Sequence, residues 1–139
     1  MANDNVILGI KNLNKEFRLR GDGFFGKPQT LHALSGVSLD VYEGETLGII
    51  GESGCGKSTL GRCIVGLHEP TSGEIIYNGQ DISKLKGAAR KPVHKDLQMI
   101  FQDSYSSLDP RFTAAASIEE PMVIHGIEPD AAKRQQKVL

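Results

Sequence analysis

The chain has 139 residues, 39% of them hydrophobic and 24% charged, which is enough for one compact domain with a genuine core. Sixteen basic residues against 17 acidic ones leave a net charge of −1, so no overall field favours nucleic acid or an anionic membrane, and no nucleic-acid partner is expected. No apolar run approaches the roughly 18 residues of a membrane span, and the opening "MANDNVILGI" lacks the basic and apolar stretches of an export signal, which points to a cytosolic chain.

The two cysteines, Cys55 and Cys63, are too few for a disulfide scaffold or a thiolate metal site and are expected to be reduced. The four histidines, His32, His68, His94 and His125, show no i, i+4 pairing and are assigned no chemistry.

In chain order, "VILGIKNLNKEF" (6–17) alternates apolar with polar residues and predicts an opening strand that ends in an aromatic. Glycines, a proline and mixed charge over 18–30 predict a surface loop. The adjacent Phe24 and Phe25 in it either tuck back onto the domain or face a partner. Residues 33–50 predict two strands, one through Val37, Leu39 and Val41, then a turn at 43–45, then "TLGII". "STLGRCIVGL" places Leu60, Cys63, Ile64 and Leu67 at helical spacing, and "HEPTSG" stops the helix. "GEIIYNGQDI" (73–82) reads as a strand, an Asn78-Gly79 turn and a return. The basic run Lys84, Lys86, Arg90, Lys91 and Lys95 reads as a solvated face. "LQMIFQD" (97–103) is strand-like, 104–127 mixes turn signals with a helical patch, and Asp130 is placed to cap a last helix through "AAKRQQKVL".

The strongest signal is Gly51-Glu52-Ser53-Gly54-Cys55-Gly56-Lys57-Ser58, followed by Thr59. It fits the P-loop pattern G-x-x-x-x-G-K-S/T at every fixed position, with an apolar segment before it and a helix after it. Glycines let the backbone wrap an anion so that successive N–H groups point inward, and the helix behind adds partial positive charge. Lys57 is the candidate for the β- and γ-phosphates of a nucleotide, and the Ser58 hydroxyl is the candidate ligand for Mg²⁺. Many enzyme classes share this loop, so alone it does not choose among reactions.

Three blocks in order, "VSLDVYEGETLGIIGESGCGKSTL", "PTSGEIIYNGQDI" and "MIFQDSYSSLDPR", resemble the nucleotide-binding domain of ABC ATPases over nearly the whole chain. The insertion "GDGFFGKPQT", the string "GETLGIIGESGCGKSTLGRCIVGL", and "FQDSYSSLDPR" followed by "EEPMVIHGI" are similar to the ATP-binding subunits of dipeptide and oligopeptide importers and their nickel and glutathione relatives. Ser104 departs from the proline usual after "FQD" in that group.

The resemblance implies an α/β P-loop NTPase of ABC type: an antiparallel β subdomain (1–46 and 73–82), the P-loop strand and helix (47–70) of an incomplete parallel α/β core, and the start of a helical subdomain (97–139). It implies ATP and Mg²⁺ as cofactors. Phe17 matches the aromatic that stacks on adenine, with core packing as the alternative use of the ring, and Ala33 matches a small contact to the nucleotide. Gln102 matches the glutamine that reaches Mg²⁺ and the attacking water. The segment after Gln102 matches the surface that receives the membrane-spanning permease.

The implied assembly adds a second ATP-binding subunit and, indirectly, an external solute-binding protein. It places the chain peripherally on the cytoplasmic face of the membrane. A soluble ABC-type ATPase without membrane partners, or a stand-alone nucleotide-binding module, is the alternative. The sequence contains no "LSGGQ" signature, no apolar strand ending in Asp-Glu and no switch histidine after one, so these 139 residues are expected to hold ATP without hydrolysing it. With the helical subdomain cut short, exposed apolar edges are also expected.

Overall fold

The computed structural model describes residues 5–19, 29–103 and 107–138. Phe24, Phe25 and Ser104 lie outside the described residues. The chain divides into two compact units, 1–93 and 94–139.

The first unit is built on a long antiparallel hairpin of β1 (Val6–Leu19) and β2 (Gln29–Tyr42). Strand β3 (Ser72–Tyr77) pairs with the other side of β1, and the two-residue β4 (Gln80–Asp81) closes a sheet of order β2-β1-β3-β4. Asn78 and Gly79 form the β3–β4 turn with φ of 46° and 79°, as an Asn-Gly hairpin turn requires.

Strict alternation along β1 would send Ile10 and Leu13 to opposite faces, yet both are buried. A register shift between them, with Asn12 at φ 48°, moves Leu13 onto the core face. The bulge is held by side chains: Asn12 N–H donates to Ser38 Oγ (2.8 Å), and Gly36 N–H donates to Asn14 Oδ1 (2.8 Å).

Helix α1 (Lys57–Ile64) buries Leu60 and Cys63. With Ile10, Leu13, Leu34, Ile75, Ile82 and Val93 they form the core, so helix and sheet share one apolar interior. Burial pushes the Cys63 thiol up from its ordinary range, partly offset by the charge of Lys15. A 3-10 turn (Gly87–Arg90) runs into the short α2 (Lys91–Asp96).

Two expected strands do not form. Residues 45–50 and 97–101 carry no regular structure, and among the described residues no strand pairs with either segment. A strand exists through its ladder bonds, so an apolar run without a partner remains irregular. Ile50 is 98% exposed and Ile100 97%. The turn at 43–45 does form, with Glu45 N–H donating to Tyr42 O (3.1 Å), but it leads into no second strand. Of the predicted loop over 18–30, residues 18–19 belong to β1 and 29–30 to β2, and 20–28 lie outside the described residues.

Within the second unit, α3 (Ala114–Ile124) packs with α4 (Ala131–Val138). Thr113 Oγ1 caps α3 by accepting from Ala116 N–H (3.2 Å). Asp130 Oδ1 caps α4 by accepting from Ala132 N–H (2.9 Å) and Lys133 N–H (3.3 Å). Neither helix contains a buried residue. Arg134 joins them instead, donating to Glu119 Oε1 and to the carbonyls of Glu128 and Pro129, each at 2.9 Å.

Candidate nucleotide-binding site

The loop 51–56 delivers the chain onto the first turn of α1. Gly56 is the residue before the helix, at φ 99°, and it offers no side-chain acceptor to the helix N–H groups. No acidic residue lies in the first turn. The helix therefore presents donors and the positive end of its dipole without an internal carboxylate to neutralise them.

A Cβ on Gly56 would collide with the Ala33 carbonyl oxygen and approach Leu34 Cδ2 at 3.0 Å. Only glycine lets the loop lie this close to β2. Ala33 thus reaches the site through its backbone, which presses on Gly56.

Lys57 bends back across the loop. Its ammonium donates to the carbonyls of Gly51 and Glu52, both at 2.6 Å, and lies 3.6 Å from Cys55 Sγ. The Glu52 carbonyl also accepts from Cys55 N–H (3.4 Å), which rounds the loop. Ser53, Gly54, Cys55 and Ser58 are exposed, and Thr59 is half-buried at the first turn. A glycine cradle, an uncapped helix start and an ammonium across the mouth together fit an anion with several phosphate oxygens. Among the described residues no group of three His, Cys, Asp or Glu could hold a metal by itself. A hard cation would need oxygen donors, and the Ser58 hydroxyl is one.

Phe17 pairs with Leu31, two residues from Ala33 on β2. Its ring is half-buried, meets His68 edge to face (5.3 Å, 80°), and carries the Lys15 ammonium 4.8 Å from its centroid. Both uses of the ring expected from sequence, packing and an aromatic platform, are compatible with this setting. Gln102 is exposed and belongs to the second unit.

One reading of the basic run needs correction. Arg90 is not part of a solvated face: it is 6% exposed and bonded to backbone carbonyls. Lys84, Lys86, Lys91 and Lys95 are exposed as expected. Nothing in "GAARKP" separates Arg90 from its neighbours.

A family model described as ABC transporter matches residues 34–139. The chain belongs to the ABC transporter family. It is 45% identical over 138 residues to the oligopeptide transport ATP-binding protein OppF of Haemophilus influenzae, covering 98% of this chain and 42% of that protein. It is 46% identical over 127 residues to the oligopeptide transport ATP-binding protein AppF of Bacillus subtilis, covering 91% of this chain and 39% of that one. The glutathione import ATP-binding protein GsiA of Pectobacterium atrosepticum is 45% identical over 126 residues, covering 91% of this chain and 20% of that protein. This ABC chain therefore spans about two fifths or less of the curated relatives it matches here.

Among solved structures, the dimeric post-hydrolysis state of the ATP-binding cassette MJ0796 bound to ADP and Pi superposes with a TM-score of 0.76 at 26% identity, over 94% of this chain and 53% of that one. The fold is that of an ABC cassette, seen here as its antiparallel sheet, P-loop helix and following helices. No helix among the described residues is long and apolar enough to cross a membrane.

Proposed function

We propose that this chain binds MgATP through its P-loop and serves as the ATP-binding, energy-coupling part of an importer for di- or oligopeptides or related solutes. The observation that carries the reading is the loop geometry: Gly56 seated on β2, an α1 start with neither cap nor acid, and Lys57 across the mouth. Gly51, Glu52, Ser53, Gly54, Cys55 and Gly56 supply the cradle, Lys57 the charge toward the β- and γ-phosphates, and Thr59 a further first-turn donor. Ser58 and Gln102 take Mg²⁺, Phe17 takes the adenine, and Ala33 borders the nucleotide.

In a protein of the relatives' length, ATP hydrolysis drives transport. The segment after Gln102 receives permease subunits, a second ATP-binding subunit completes the dimer, and an external solute-binding protein acts indirectly. The site of action is the cytoplasmic face of the membrane, peripherally. Likeness to oligopeptide and glutathione import ATP-binding proteins at about 45% identity supports the peptide and glutathione class.

The test is a titration of the chain with MgATP. Lys57→Ala is expected to weaken binding by more than about tenfold, roughly 1.4 kcal/mol. Gln102→Ala, which removes a contact to metal and water and leaves the cradle intact, is expected to leave binding largely unchanged. Equal large losses in both variants would contradict the assigned roles.

A further inference from the structure

The last four carbonyls of α1 are each accounted for, and one of the acceptances comes from far along the chain. Gly61 O accepts from Val65 N–H (3.1 Å), Arg62 O from His68 N–H (3.1 Å) and Cys63 O from Gly66 N–H (3.1 Å). Ile64 O accepts from Arg90 Nη2 (3.0 Å). The same guanidinium donates through Nη1 to Ile82 O (2.8 Å), and Ile82 N–H is itself bonded to Ile75 O on β3 (2.8 Å). A Cβ on Gly66, which stands at φ 83°, would run into the guanidinium. The arginine is thus seated on the first residues past the helix.

We propose that Arg90 is a positioning residue that fixes the axis of the P-loop helix by clamping its C-terminal end to the β3–β4 hairpin. The functional half of this rests on the nucleotide reading above. Three of these carbonyls are finished by local residues, as is ordinary, and the last is taken by a buried, forked cation from 26 positions away. Its charge complements the negative end of the helix dipole.

The geometry gives the clamp consequence. The helix has eight residues and is about 12 Å long. Its phosphate-facing end is held against β2 at Ala33 and its far end against β3–β4 by Arg90, so both ends are referenced to one sheet. A tilt of about 5° over that length moves the other end by about 1 Å, the scale on which positioned groups lose effect. Lysine cannot replace the arrangement, because one ammonium lacks the planar fork that serves two separated carbonyls.

Cys63, fully buried on α1, is a built-in reporter of helix release. The experiment compares Arg90→Met and Arg90→Lys with the parent. Cys63 labelling by a soluble disulfide reagent is read in a Cys55→Ser background, amide exchange at Ile10 and Ile75 in the same background, and MgATP affinity with Cys55 retained. Arg90→Met is expected to speed Cys63 labelling about tenfold, to leave exchange at Ile10 and Ile75 unchanged and to weaken MgATP about tenfold, with Arg90→Lys between it and the parent. Unchanged Cys63 protection overturns the clamp. Acceleration of Cys63, Ile10 and Ile75 together reduces it to general stability and also overturns it. Faster Cys63 labelling with unchanged affinity overturns the positioning role. If Arg90→Met does not fold, Gly66→Ala disturbs the same seat and is read by the same criteria. A parent chain that binds no MgATP refutes the nucleotide reading instead, and the Cys63 and exchange pattern then decides the clamp alone.

Discussion

Replacing Gly56 by alanine separates two costs that the fold makes distinguishable. At φ 99° an L-residue bears strain of about 1–3 kcal/mol. The added methyl also meets the Ala33 carbonyl oxygen and closes on Leu34 Cδ2 at 3.0 Å. Backbone is the obstacle on one side and a packed leucine on the other, so relief requires a local shift of about 1–3 kcal/mol. The sum is about 2–6 kcal/mol, a large part of a typical stability of about 5–15 kcal/mol. At about 4 °C per kcal/mol for a chain of this size, Tm falls by about 8–24 °C.

Gly54→Ala is the internal control. Gly54 stands at φ 83° but has nothing within 4 Å of its Cβ position, so it carries the strain without the collision. The variant is expected to melt above Gly56→Ala by about 4–12 °C. Thermal melts followed by circular dichroism decide the matter. Two variants that melt within about 2 °C of one another would show that the loop does not lie on β2 as described.

Two further expectations concern the sheet. Ile75→Ala, at a fully buried position on β3, is expected to cost about 2–5 kcal/mol in chemical denaturation, whereas a loss below about 1 kcal/mol would contradict its place in the core. The Asp81 carboxyl accepts from Ser83 Oγ (2.6 Å) and from Ser83 N–H (2.9 Å), and these bonds, the hydroxyl first, hold its pKa below the usual range. The folded pKa lies below the unfolded one, so the contribution is complete above the unfolded value of about 3.9 and is lost as pH falls through the folded value. Ser83→Ala should move the Asp81 titration, read by NMR, back toward the ordinary carboxylate range; an unmoved titration would refute the assignment.

What could be read from sequence follows the range of the forces involved. The P-loop, the α1 register through Leu60 and Cys63, the Asn78-Gly79 turn and the Asp130 cap depend on residues a few positions apart, and they form where periodicity and turn chemistry place them. The segments 46–50 and 97–103 have the composition of strands, but composition does not supply a partner, and pairing is a property of two segments. The bulge at Asn12 escaped alternation because it depends on Ser38 and Gly36, which belong to the other strand. Arg90 escaped for the same reason: its role is set by Ile64 and Ile82, and a basic residue among basic neighbours carries no mark of burial.

The bonds from Lys57 to the Gly51 and Glu52 carbonyls also bear on which anions can compete for the loop. An ammonium already satisfied by two neutral acceptors is surrendered only to something better. A cation is drawn more strongly to an ionised oxygen than to a neutral carbonyl dipole, so a ligand that offers several charged oxygens can outbid the carbonyls. Any anion that draws Lys57 away must therefore outweigh two carbonyl bonds, which ties entry to the loop to the charge the ligand carries.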